Sequence, residues 1–227
     1  MAYLIEFRFN GYSKKYARDL IYDVARRFKV KGVTRKRAVP HITLFGPFNT
    51  RYQKRVVSEI VEIGKKYSLV AFKVKGFNYF GNIKNKVIYL DIEPSKNLEN
   101  LRWEIAKRLL PFCKTKSIHD KKRKFYFHST IAFKDIDRKF LKIWNYIKRK
   151  EEPNIRQHLL RITILKGGKI LYEYDLIQKK LLNRKQARSK YIWKKTIELL
   201  KKKPINFEEE FKKGNLLEEI LDFFKMR

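Results

Sequence analysis

A single cysteine, Cys113, stands in 227 residues, so the chain can close no internal disulfide and build no cysteine-based zinc site. A reducing cytoplasm is the compartment this implies. Acidic residues are scarce: 23 Asp and Glu face 56 Lys and Arg, for a formal net charge of +33. That sign excludes an acidic, salt-adapted surface and favours a polyanionic partner, nucleic acid by default, over a basic membrane-surface role. No apolar run is long enough to cross a bilayer, so no membrane is expected as a partner. The opening residues, Tyr3 to Phe9, read as a strand that begins at once and not as a signal peptide. Any Gly-rich phosphate loop is missing as well, which argues against ATP-dependent chemistry.

What is present supports a folded protein with a sizeable core. Hydrophobic residues make up 44% of the chain and aromatics 15%. Tyr3 to Phe9 alternates, with Leu4, Glu6 and Arg8 on one side and Tyr3, Ile5, Phe7 and Phe9 on the other. Helical spacing follows over 13–28, where Ala17, Leu20, Ile21, Val24 and Phe28 form a stripe. A strand at 39–45 is expected to end at Gly46-Pro47, and a second helix follows around Val56 to Gly64. Strands near 69–76 and 86–92 lead to a helix through Leu98, Leu101, Ile105 and Leu109. Then come a basic, flexible segment at 114–124, a strand, and a helix from Phe140 to Ile147. Residues 158–165 and 169–177 flank Gly167-Gly168, a hairpin signal.

The order in the second half resembles that of the first, as an internal duplication would. The predicted class is α+β and bilobal: two antiparallel sheets facing a central cleft, with helices on their outer faces. Residues 1–180 would form this unit. Residues 181–227 would be a basic helical extension, its first helix (183–203) burying Tyr191, Ile192, Thr196, Leu199 and Leu200. A second helix is expected over 207–225. The stripes suggest packing on the core, with an RNA-gripping role as the sharper reading.

Two short stretches carry the chemistry: Pro40-His41-Ile42-Thr43-Leu44-Phe45 and Phe127-His128-Ser129-Thr130-Ile131-Ala132-Phe133. Each is His-x-Thr within strand-like composition, and residues i and i+2 of a strand share a face. Two such strands side by side would present two imidazoles and two hydroxyls together, groups suited to holding a phosphate and moving protons around it. The chain holds only four histidines and seven threonines, so the repetition is hard to assign to chance.

Paired His-x-Thr strands in a chain of this size resemble the two-histidine phosphoesterase superfamily, which includes the RNA 2',3'-cyclic phosphodiesterases historically called 2'-5' RNA ligases. The resemblance covers residues 1 to 180 and rests on His41-Ile42-Thr43-Leu44 and His128-Ser129-Thr130-Ile131. Pro40 is typical of the pattern. Phe127 stands where many relatives have proline, and Phe45-Gly46-Pro47 replaces the Leu-Gly-Glu ending of bacterial enzymes, closer to an archaeal-type branch. The resemblance implies that His41 and His128 are catalytic, that Thr43 and Thr130 bind the substrate phosphate, and that no metal or other cofactor takes part. The implied product is a 2'-phosphate and the implied partner is RNA bearing a terminal cyclic phosphate, with transfer RNA as one source.

Opening a cyclic phosphate needs a base for water and an acid for the departing 3' oxygen, and histidine can play either part near neutral pH. ATP-independent 2'-5' joining would use the same four residues, and a basic RNA-binding module without turnover is the reading from another class. Intact histidines count against the module, since Arg or Lys would hold phosphate as well. Basic residues upstream of the motifs, Arg35 and Arg37, then Lys122 and Arg123, are candidates for an RNA-guiding rim. Phe133 and Phe45 are candidates for stacking a terminal base, with Tyr79, Phe80 and Tyr126 behind them. His119 is expected to be solvated and His158 structural. A zinc site is disfavoured because neither motif has the required ligand spacing.

Overall fold

The computed structural model describes residues 1–35, 37–81 and 84–203, together with Phe207 and Phe211. Strand β1 (Tyr3–Arg8) leads to helix α1 (Gly11–Phe28), then β2 (His41–Asn49) and α2 (Gln53–Lys66). The hairpin β3 (Ala71–Phe80) and β4 (Val87–Pro94) precedes α3 (Lys96–Leu109), the two-residue β5 (Lys114–Thr115) and β6 (His128–Phe133). After α4 (Phe140–Lys148) come β7 (Asn154–His158), β8 (Arg161–Lys166), β9 (Lys169–Asp175) and β10 (Lys180–Asn183). Short α5 (Arg184–Ala187) and α6 (Lys190–Lys201) follow.

Two antiparallel sheets result, one in the order β10-β9-β8-β1-β2-β5 and the other β6-β4-β3-β7. Each draws strands from both halves of the chain. β1 sits between β2 and β8, while β4 sits between β6 and β3. The first half runs β1-α1-β2-α2-β3 and hands β3 to the second sheet, where it stands between β4 and β7, while β8 from the second half returns to pair with β1.

Alternation explains which face is which. Ile5, Phe7 and Phe9 are buried in the core, and Phe7 meets Phe72 of β3 edge-on at 5.4 Å between ring centres, joining the sheets. Ala17, Leu20, Ile21 and Val24 of α1 are buried as their spacing requires. The opposite face of β1, β2 and β8 is left for the cleft.

Several elements depart from their sequence readings. β2 does not stop at Gly46-Pro47 but continues to Asn49, because Phe48 is paired on both sides, with Tyr3 and with Thr115. A bulge against β1 absorbs the extra residue at Gly46, whose φ of +106° suits glycine alone. The strand expected at 158–165 is two: β7 ends at His158 and β8 begins at Arg161. The helix expected over 183–203 is two: Asn183 ends β10 and caps the short α5 (Arg184–Ala187), and α6 begins at Lys190, capped by Ser189 Oγ accepting from the Ile192 amide. Tyr191 is 77% exposed and not part of a buried stripe. The helix docks instead through Thr196, which is fully buried in a polar network: Arg161 donates to Thr196, which donates to Asp175. The helix expected over 207–225 lies outside the described residues.

The basic segment at 114–124 is pinned where flexibility was expected. Arg102 of α3 is fully buried and donates to the carbonyls of Lys122 (2.5 Å) and His119 (2.7 Å). It lies 3.6 Å from Asp120, whose other oxygen accepts from the Gly46 amide (3.1 Å) and the Thr115 hydroxyl (2.5 Å). This one buried pair therefore ties α3, β2 and the lead-in to β6 together. A second tie joins α1's end to β6's end. The amides of Lys31 and Gly32 donate to Asp135, and a Cβ on Gly32 would fall 1.9 Å from the Phe133 carbonyl oxygen.

Removing one partner of a buried pair strands the other charge, so Arg102→Met should lower unfolding free energy by about 3–5 kcal/mol in urea titration. Lys15→Ala, which breaks only the exposed pair with Asp19, should stay within about 0.5 kcal/mol. Equal losses in the two variants would contradict the clamp.

Candidate active site

β2 and β6 approach each other where the two sheets meet. Their burial follows one pattern. His41, Thr43, His128 and Thr130 are half-buried, while Ile42, Leu44, Ser129 and Ile131 face the core. Each motif thus turns His and Thr outward from the same face of its own strand, as alternation demands.

Both rings are held in the same way. His41 Nδ1 lies 2.8 Å from the Val39 carbonyl oxygen, and His128 Nδ1 lies 3.0 Å from that of Tyr126. A carbonyl can only accept, so Nδ1 carries the proton in each ring and Nε2 is left as the reactive nitrogen. The identical i to i−2 contact in two strands eighty-seven positions apart is what a duplicated site requires.

The surroundings of the two rings differ. His41 has a side-chain exposure of 37%, and its Nε2 lies 3.7 Å from the Glu6 carboxylate, beyond hydrogen-bond distance. Glu6 is almost fully buried, opposite Thr43 in the register, and accepts a 2.6 Å bond from Arg8 Nε. His128 sits among aromatics: Phe80 meets it edge-on at 5.0 Å, and Tyr89 lies at 5.2 Å. Burial pushes the His128 imidazole below its ordinary value; the charges of His41 and His119 act in the same direction. The bond to Tyr126 and the Asp91 carboxylate oppose them. Tyr89, opposite Thr130, is pushed up to about 12, chiefly by burial and then by Asp91 and Tyr126. It is a neutral phenol at any working pH.

A cleft of about 420 Å³ opens at this junction, with Glu6, Arg8, Arg37, His41, Thr130 and Phe133 on its walls; His128 and Thr43 do not line it, and His128 stands near enough to His41 to feel its charge. Phe133, expected as a base-stacking residue, does line it. Phe45 does not: it is fully buried and packed on Phe48, because the register against β1 slips between Thr43 and Phe45, which places Phe45 opposite Ile5 and turns the ring inward. Of the expected rim, Arg37 lines the cleft and Arg35 is exposed beside Asp135. Arg123 donates to Asn100 and borders a separate hollow with Trp103 and Tyr67. Exposed Lys122 precedes it, its carbonyl held by Arg102, so the second motif's upstream cations do not gather at the cleft with Arg37. Among the secondary aromatic candidates, Phe80 packs on His128 and Tyr89, and Tyr79 packs on Phe140 and Trp144. His119 is exposed, as its loop position suggested.

Glu6 and Arg8 are the site residues that sequence reasoning missed. Their signal was a carboxylate and a guanidinium on the outer face of a strand whose inner face is wholly apolar, but nothing local linked them to His41. Among the described residues, no group of three or more His, Cys, Asp or Glu side chains is gathered closely enough to hold a metal ion.

The sequence profile of the 2'-5' RNA ligase superfamily matches residues 17–169, and the chain belongs to that family. No curated protein matches it. Membership gives the class of chemistry, phosphoester chemistry on RNA by a two-histidine site, and leaves residues beyond 169 outside the matched region.

The electrostatics can be tested without substrate. In an NMR pH titration, the His128 ring should change protonation below its ordinary value of 6.5. His41→Asn removes one of the like charges that hold it down, so the midpoint should rise in that variant. A wild-type midpoint at or above 6.5, or none of this movement, would contradict the burial of His128 and its nearness to His41.

Proposed function

We propose that the protein is a metal-independent RNA 2',3'-cyclic phosphodiesterase that opens a terminal cyclic phosphate to a 2'-phosphate. The observation that carries this reading is the pair of matched imidazoles, each with Nδ1 committed to a backbone carbonyl and Nε2 left for chemistry. Family membership supports the coarser statement and leaves the reaction to this geometry.

His128 takes the part of the base, since burial favours its neutral form. Its Nε2 accepts a proton from water as the water oxygen bonds to phosphorus. The bond from phosphorus to the 3' oxygen breaks on the opposite side, and His41, carrying its second proton at Nε2 beside Glu6, delivers it to that oxygen. The balance is one water consumed, one 3'-hydroxyl and one 2'-phosphate formed, with the proton moved from one ring to the other and reset by solvent. Thr43 and Thr130 donate to the nonbridging oxygens, whose charge grows in the transition state. Phe133 offers its ring to the terminal base, and Arg37 draws the strand to the cleft.

The decisive assay offers purified protein a short RNA ending in a 2',3'-cyclic phosphate, with EDTA present, and analyses the ends. Conversion to a 2'-phosphate is expected. His41→Ala and His128→Ala should each reduce kcat/KM by about 10²–10⁴-fold or more, and Thr130→Val by about 10²-fold. The kcat/KM profile should be bell-shaped, its acidic limb below 6.5 because the base is His128. Joining of added 5'-hydroxyl RNA with no hydrolysis would instead make the protein a ligase. Loss of activity with the chelator, or a rate still rising through pH 10, would contradict the two-imidazole scheme.

A further inference from the structure

The cleft does not end at Arg8. Across the strands, His41 of β2 stands opposite Arg8 of β1, and on the same sheet face β8 presents Arg161, Thr163 and Leu165. Leu165 borders the catalytic cleft, whereas Arg161 and Thr163 border a second cavity of about 320 Å³, and Arg8 lines both. Inter-strand spacing puts Arg161 roughly 10 Å from His41. The second cavity is therefore the continuation of the first along the sheet.

Its far wall comes from residues beyond the family match. Arg188 and Lys190, at the start of α6, and the half-buried Trp193 face Arg8, Lys14 and Arg161 across the cavity. Five cations line it against one carboxylate, Glu173, which is occupied by Arg161 and by the Thr163 hydroxyl. Lys14, Arg188 and Lys190 make no ion pair with a described residue. Lys14 is held below its usual value by burial and then by Arg18, Arg37 and Arg8, so cations of the catalytic cleft and of this cavity lie near one another, with Arg8 on both. Trp193 stacks near the Arg161 guanidinium, 4.8 Å from ring centre to Cζ. The polar network on Thr196 fixes α6 against the sheet, so this wall is built and not a loose arm.

We infer that this cavity is a second nucleotide subsite for single-stranded RNA, holding a phosphate on Lys14, Arg188 and Lys190 and a base on Trp193, upstream of the reacting end. The combination of a cationic track with an aromatic platform is how proteins grip single strands irrespective of sequence. The inference rests on the catalytic reading for its direction, and it makes the protein selective for oligonucleotides over cyclic mononucleotides.

Two measurements on the full chain test it. First, kcat/KM is compared for a nucleoside 2',3'-cyclic monophosphate and a pentaribonucleotide with the same end. The wild type should prefer the oligonucleotide, and in the double variant Arg188→Ala, Lys190→Ala that preference should fall tenfold or more, chiefly through KM. An unaltered preference overturns the inference.

Second, binding of a fluorescent pentaribonucleotide with a 3'-hydroxyl end is followed by anisotropy, which needs no turnover. The double variant should bind at least tenfold more weakly, with the slope of log affinity against log salt reduced by about 0.7 for the one phosphate no longer neutralised. RNA should quench tryptophan emission in the wild type and less in Trp193→Phe. Equal affinities and slopes overturn the subsite even if catalysis is absent. Absent turnover with binding as expected overturns the phosphodiesterase reading alone.

Discussion

A histidine on a strand can turn about two side-chain bonds, and acid–base work on a phosphate needs that freedom removed. Here the restraint is a backbone carbonyl two residues upstream of each ring, at Val39 and Tyr126. It sets the tautomer as well as the orientation, because the carbonyl demands a proton on Nδ1. The two strands are also tied to each other. Asp120 grips the Gly46 amide on β2, and Arg102 grips two carbonyls in the run that enters β6. One buried ion pair thus holds the two motif strands in a common frame, at a place where neither sheet alone would relate them.

Differences between the rings follow from what surrounds them. β4 brings Tyr89 and Asp91 opposite Thr130 and His128, closing that half with aromatic surface. β1 brings Glu6 and Arg8 opposite Thr43 and His41, leaving that half more open and more polar. Equivalent motifs therefore acquire unlike partners, and unlike partners are what separate an acid from a base.

Period-two alternation made His41, Thr43, His128 and Thr130 legible, since a strand fixes the common face of i and i+2 whatever the rest of the fold does. The helices at α1 and α3 were legible for the same local reason. Phe45 was not, because a register slip at Leu44 breaks the alternation directly after the His-x-Thr triplet, and bulges carry little sequence signal. Glu6 and Arg8 were missed because their meeting with His41 depends on strand pairing across more than thirty residues. The exchange of strands between the two halves was hidden likewise. α6 misled for a further reason: its stripe suggested apolar docking, whereas Thr196, a polar member of that stripe, is where the sheet's Arg161 and Asp175 engage it.

The large positive charge also resolves into places. It does not gather evenly before each motif. Cations line the two adjoining cavities, Arg37 and Arg8 in one and Arg8, Lys14 and the start of α6 in the other, while Arg123 lies elsewhere. The most direct test of the account is whether both imidazoles meet one phosphoryl group. With the ring nitrogens isotopically labelled, a nucleoside 2'-monophosphate is titrated into the protein and the Nε2 resonances of His41 and His128 are followed by NMR. Both should shift with a single dissociation constant at one ligand per chain, while each Nδ1 stays protonated. Movement of one ring only, or of the two with different constants, would contradict it.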